Sequence, residues 1–313
     1  MLSGFFGIYL IFGSVNGDYF DIINMFYYFS CAFIFVLALA GNISNTNMKN
    51  IQFTTILSLI FTSLISINDW IFSHSMVTAD NYFYRAEGIY DNPNLLAQNL
   101  LLLLPIAFNY IKKQKFYSFI AISLFIITLI ISQSRGTILT SLIILILFLF
   151  GDKYFSNRLK WPLSIFILVI AYMILINLGD DYLIRFKLTD DFSNLRVEAL
   201  LLGIKSFSTS LFGIGIGNTS ENLLSLSSHN IYIHILSEIG VVGLFILLII
   251  LFWLLKTWIR AIIRDLKFTY YLIPIILMTG FFTHNLLTNL VFYLILTIIV
   301  FENSTLKEVE NEK

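Results

Sequence analysis

Long apolar runs separated by short polar punctuation fill this chain from end to end. A membrane-crossing helix needs roughly 20 apolar residues, fewer where its flanks reach the interface. On that criterion the spans fall at 1–14, 22–41, 51–67, 94–111, 116–132, 136–150, 161–178, 231–255, 269–286 and 288–301. The pattern predicts an all-α integral membrane protein, a polytopic bundle of about ten transmembrane helices forming one membrane domain over 1–301. Ser132-Gln133-Ser134-Arg135 and Gly136 interrupt what would otherwise be one long helix, so a tight turn is expected there. Met1–Ser14 has no basic n-region and no small-residue cleavage site, and reads as a short first span rather than a cleaved signal peptide.

Two intervening segments are long enough to carry structure, 68–93 and 179–230. The second is read as one large structured outer loop. Within it, 192–207 predicts a helix with Leu200, Leu201, Ile204 and Phe207 as an apolar stripe and Arg196, Glu198 and Lys205 as polar positions. That stripe is expected to rest on the bundle or on lipid. Residues 302–313 are charged and polar and are expected to form a disordered cytoplasmic tail.

Composition agrees with a membrane protein. The 313 residues are 58% hydrophobic and 12% charged, with mean hydropathy +0.85. A net charge of zero gives no footprint for nucleic acid. The single cysteine, Cys31, excludes an internal disulfide, and no Cys/His spacing resembles a zinc site, so neither a metal nor another cofactor is expected. Basic residues set the orientation. With the N-terminus inside, Lys49, Lys112, Lys113, Lys115, Lys153, Arg158, Lys160, Lys256, Arg260, Arg264, Lys267, Lys307 and Lys313 are cytoplasmic. Arg85, Arg135, Arg185, Lys187, Arg196 and Lys205 are external, fewer despite the longer loops. Both termini are therefore expected in the cytoplasm.

On this threading the unusual polar residues gather at the outer face, where ionisable groups mark function by default. His229 and Asn230 precede the span that starts at Ile231, with Gly240 and Gly243 inside it. A neutral imidazole there can accept a proton from a hydroxyl; the plainer reading is that His229 and Asn230 cap the helix. The two glycines are expected to let another helix approach closely. His234 and Glu238, at i and i+4, can pair with each other or orient His229. Arg135, in a turn rich in serine and glycine, suits a carboxylate or phosphate, or else reaches lipid headgroups. Arg196 is either part of a site or a solvated charge on its helix. Asn92 is a natural N-cap with Pro93 at the first helical position. The helix end so formed, with Asn94 and Arg85 near it, suits an anion. His74 and His284 have no recognisable partner. Gly213-Ile214-Gly215-Ile216-Gly217-Asn218 lacks the βαβ context of a nucleotide site and reads as a flexible turn leading towards His229.

The ordered set Arg85-x-x-Gly88, Asn92-Pro93-Asn94, Ser134-Arg135-Gly136, Arg196, Leu211-Phe212-Gly213-Ile214-Gly215 and His229-Asn230-x9-Gly240-x-x-Gly243 resembles the superfamily of O-antigen ligases and polysaccharide polymerases. The resemblance covers about residues 80–245. It implies a metal-independent, inverting membrane glycosyltransferase of the GT-C type in the bacterial plasma membrane. The implied donor is a glycan on undecaprenyl diphosphate, and the acceptor is a glycan or lipid-linked glycan, with membrane lipids, a flippase and a chain-length regulator as further partners. It implies His229 as the base and Arg135 and Arg196 as holders of the diphosphate; Arg85, Asn92, Asn94 and Asn230, placed beside them on the same face, are expected to bind substrate. Two enzymatic readings stay open. One is a polymerase of lipid-linked repeat units; the other is a ligase moving glycan onto lipid A core or another acceptor. A transporter or flippase would place ionisable groups near the midplane, often in repeated halves, and no internal repeat is visible.

Overall fold

The computed structural model describes residues 22–23, 25–26, 45–76, 85–90, 92–110, 115–151, 190–218, 230–283 and 289–311. Among them are eight helices and no strand: α1 (Asn45–Met76), α2 (Pro93–Tyr110), α3 (Lys115–Ser132), α4 (Arg135–Gly151), α5 (Asp190–Thr209), α6 (Ile231–Arg264), α7 (Lys267–Gly280) and α8 (Leu290–Asn311). Residues 22–23 and 25–26 are also helical. The spans expected at 1–14 and 161–178, and most of 22–41, lie outside the described residues.

A central pair organises the bundle. α2 is buried on nearly every side, from Leu96 and Ala97 through Leu100–Leu104 to Ile106, as is Tyr271–Ile276 of α7. A helix that is apolar all round has no face left for water. α2 touches α1, α3, α4, α7 and α8, while α7 touches α2, α4, α6 and α8. The flanking helices keep an apolar outer surface. On α6, Leu244, Phe245, Leu248, Ile249, Phe252, Leu255, Ile259, Ile262 and Ile263 are all exposed. A continuous stripe of that size would be a liability in water and is the expected face towards lipid. The α1 stretch Met48–Phe72 and α6 are each long and apolar enough to cross a membrane. Some buried hydroxyls turn back onto their own helices, as Ser66 does to Thr62 and Thr297 to Tyr293, which satisfies those groups where no water is at hand.

Several boundaries differ from expectation for identifiable reasons. α1 continues to Met76, about two and a half turns past 67, because Asp69 finds partners. Its carboxylate accepts the backbone N–H of Gly88 (3.1 Å) and of Glu87 (3.4 Å). α8 runs on to Asn311, so 302–311 is helical rather than irregular. Glu302 accepts the backbone N–H groups of Phe268 and Thr269 and the Thr269 hydroxyl, satisfying donors at the start of α7 that have no partner within that helix. The turn between α3 and α4 is made by Gln133 in the left-handed region (φ 52°). Gly136 does not break the chain there. It lies inside α4, where a side chain would strike the ring of Phe282 at the end of α7.

Candidate functional site

Asn92 and Pro93 do locally what their types dictate. The Asn92 carboxamide oxygen accepts the N–H of Asn94 (2.9 Å) and Leu95 (3.3 Å), and Pro93 opens α2. Asn94, in the first turn, accepts a hydrogen bond from the Arg85 guanidinium at 2.8 Å. Nε of the same guanidinium donates to the carbonyl of Ser132 at 2.9 Å, and Ala86 N–H donates to Ile131 at 3.1 Å. Arg85 thereby clips the start of α2 to the end of α3. Gly88, with φ +59°, packs against Ser66 so closely that a side chain would strike its hydroxyl.

Two residues past Gln133, Arg135 opens α4 and is exposed. Ser134 fixes this helix start: its carbonyl accepts Ile138 N–H (2.9 Å) and its hydroxyl pairs with that of Thr137 (2.9 Å). From Gly136 the contacts run through Phe282 to the end of α7, where Phe281 lies 4.8 Å, ring to ring, from Tyr232. Tyr232 belongs to the first turn of α6, and its hydroxyl donates to the Leu277 carbonyl at 2.7 Å. Asn230 caps α6, its carboxamide oxygen accepting Tyr232 N–H (3.0 Å) and Ile233 N–H (3.2 Å). At the start of α8, Asn289 donates to Asn99 of α2. Burial pushes the nearby Tyr90 phenol up, and its hydrogen bond with Asn99 draws it partly back. The starts of α2, α4, α6 and α8 thus share one end of the bundle with Arg85, Asn92, Asn94, Arg135 and Asn230. Four helix N-termini and two guanidinium groups make that end favourable for anionic oxygen.

α6 is interrupted at Gly240, whose φ of 59° and ψ of −137° lie outside the helical region. The expectation that another helix packs against Gly240 and Gly243 is corrected: the neighbour of Gly240 is the 211–217 loop. Val241 N–H donates to Leu211 (2.9 Å), Ile214 N–H to Ser237 (2.9 Å) and Gly215 N–H to Glu238 (3.0 Å). A side chain on Gly213 would strike the Glu238 carbonyl, and one on Gly240 the Leu211 carbonyl. Gly243 is crowded by Ile235 and Ile239 of α6 itself. The glycine run is therefore a docked, half-buried plug, not a flexible turn. The Glu238 carboxylate lies under it, 3.3 Å from His234 Nε2 and 3.0 Å from Gly217 N–H.

α5 packs on α6 through Gly203, where a side chain would strike Ile233. Ala199 is buried beside it, while Leu201 and Ile204 point outward. The face on the bundle is thus the small-residue one, four residues apart, and the larger apolar residues are left for lipid. Position 196 shares the register of Ala199 and Gly203. The side chains of Arg196 and His74, and all of His229 and His284, lie outside the described residues. Sequence reasoning missed Asp69 and Tyr232. Asp69 had a signal, a lone acid next to an apolar run; Tyr232 had none.

The described residues form an all-helical bundle with the apolar outer surface of a membrane protein, and Arg85, Arg135 and the Asn92 and Asn230 caps stand at one end of it. Residues 120–248 match the family model for O-antigen ligase, which supports placing the chain in the O-antigen ligase superfamily. No curated protein and no solved structure matches it. The family implies a glycosyltransferase-like or ligase activity.

Proposed function

We propose that this protein is an inverting membrane glycosyltransferase that polymerises undecaprenyl-diphosphate-linked oligosaccharide repeat units into a surface polysaccharide. The observation that carries the reading is the 120–248 match, because that segment contains Arg135, Arg196, His229 and Asn230 in the order the motifs require. In this reading an acceptor hydroxyl attacks the anomeric carbon of the donor sugar from the face opposite the diphosphate. The new carbon–oxygen bond forms as the bond to the diphosphate oxygen breaks. His229 takes the hydroxyl proton, and undecaprenyl diphosphate leaves with the bonding electrons. Arg135 and Arg196 offset the charge that grows on the departing oxygen. Arg85, Asn92, Asn94 and Asn230 hold donor or acceptor near the helix starts. Arg85 already spends two nitrogens within the protein, so its contribution includes holding that end in shape.

The family description itself favours a second reading, a ligase delivering finished glycan to lipid A core or another acceptor. Purified protein given only lipid-linked repeat units separates the two. Products lengthening by whole repeats support the polymerase, whereas transfer only to an added lipid A core supports the ligase. With His229 as base, His229→Ala should lower turnover by about 10² to 10⁴ with donor affinity little changed. Arg135→Ala and Arg196→Ala should weaken donor binding as well as turnover. Wild-type turnover per folded molecule in His229→Ala would end the base assignment. The charge-neutralising role given to arginine also predicts full activity in excess EDTA. Loss restored specifically by magnesium or manganese would refute it.

A further inference from the structure

Among the described residues, Glu238 is the only Asp, Glu, Lys, Arg or His that is fully buried, at 1% exposure. A buried carboxylate is costly unless hydrogen-bonded. The break at Gly240 explains the backbone part of them. Where α6 leaves helical geometry, the Ser237 and Glu238 carbonyls lose the N–H groups four residues on, and Ile214 and Gly215 of the loop replace them. The break does not call for the side chain. Backbone bonds alone dock the loop, yet Glu238 Oε1 also accepts Gly217 N–H at 3.0 Å and lies 3.3 Å from His234 Nε2. Gly217 sits at the far end of the plug. From there the chain runs through 218–229 to Asn230, which caps the same helix. Both ends of that stretch are therefore fixed to α6, eight residues or about 12 Å apart along its axis.

We propose that Glu238 is a positioning residue: its carboxylate anchors the Gly217 amide and so fixes where the stretch bearing His229 leaves the plug, with the His234 imidazole bracing the carboxylate. The proposal rests on the reading of His229 as the base. A group displaced by about 1 Å can cost on the order of 100-fold in rate while leaving remote binding intact. A residue acting only through His229 therefore has a defined signature.

The test uses the full chain in detergent or nanodiscs with a lipid-linked oligosaccharide donor. Glu238→Leu should lower turnover about 10- to 100-fold with donor affinity within about threefold. Glu238→Gln retains an acceptor oxygen and should recover most of the loss. Hydrogen exchange at Gly217 should quicken in Glu238→Leu and return towards wild type in Glu238→Gln. Placed on His229→Ala, Glu238→Leu should cost nothing further, because the group it positions is already gone. If Glu238→Leu does not fold, Glu238→Asp, which draws the oxygen back from Gly217, replaces it throughout. Losses that multiply in the double variant, or that follow folded protein alone, overturn the proposal. So does unchanged exchange at Gly217. Normal turnover of His229→Ala with quickened exchange in Glu238→Leu would instead sink the base assignment and leave the anchor standing.

Discussion

Three glycines in and around α6 perform different tasks, and substitution separates them. Gly240 occupies a backbone region that essentially only glycine enters, with the Leu211 carbonyl against it. Gly240→Ala should therefore cost about 1–3 kcal/mol in strain alone, and more from the clash. Gly213→Ala should behave alike, since φ is +82° and the Glu238 carbonyl is in the way. Gly243 is helical, so Gly243→Ala meets crowding without backbone strain and should be the mildest. Thermal unfolding together with exchange across 211–217 checks the order; an equal effect at all three would contradict it. The arginines divide in the same manner. Arg85 forks between the Ser132 carbonyl and Asn94, and a lysine cannot span both. Arg85→Lys should lose about 1–3 kcal/mol of stability, by the usual worth of charged hydrogen bonds. Arg135 is exposed at a helix start, so Arg135→Lys should change stability by less than about 0.5 kcal/mol. Its effect should appear in donor affinity. A larger stability loss at Arg135 than at Arg85 would reverse these roles.

At the scale of elements, helix ends carry most of the specification. The Asn92 and Asn230 caps should each be worth about 1 kcal/mol when replaced by alanine, read by unfolding in detergent. No change at either would mean that bundle packing alone sets those helix starts. The sequence made these ends legible because N-cap chemistry is local: Asn92-Pro93 marked α2, and Asn230 marked α6. The amphipathic element at 192–207 was legible too, and α5 spans it as Asp190–Thr209. Long-range pairings were not legible. The extension of α1 depends on Asp69 meeting backbone of the 85–90 segment, and the helical run past 301 includes Glu302 bound to α7. Neither contact leaves a mark in the local pattern. The glycine plug is the clearest case. Gly240 and Gly243 share one motif, and close helix approach was the economical reading of their spacing. Only the fold shows that one glycine admits a loop into a broken helix while the other relieves crowding within it. By sequence the apolar stripe of α5 fits either bundle or lipid, because hydrophobicity does not distinguish a face turned to lipid from a face turned to protein; the structure turns Leu201 and Ile204 outward.

At the scale of the whole molecule, orientation follows from α6, α7 and α8 together. The start of α6 and the end of α7 meet at Tyr232, Gly280 and Phe281, beside Asn230 and the Arg135 turn. The start of α7 lies at the opposite end, held by Glu302 of α8. Lys256, Arg260 and Arg264 fall on the last turns of α6, and Lys267 opens α7, so this opposite end is the strongly basic one. Beyond Gly240, residues 241–264 span about 36 Å, enough to carry that basic end across a hydrocarbon core of roughly 30 Å. Basic residues concentrate on the cytoplasmic side, so the end bearing Arg135 and Asn230 is predicted to be external. Cysteine labelling in a Cys31→Ser background checks this without a substrate. A membrane-impermeant maleimide added to intact cells should react at Arg135→Cys and Arg196→Cys. It should reach Lys113→Cys and Arg264→Cys only after permeabilisation. The opposite pattern would turn the molecule over and place the diphosphate chemistry in the cytoplasm. Labelling of all four in intact cells would mean that the two ends are not on opposite sides, and would refute the transmembrane reading of α6 itself.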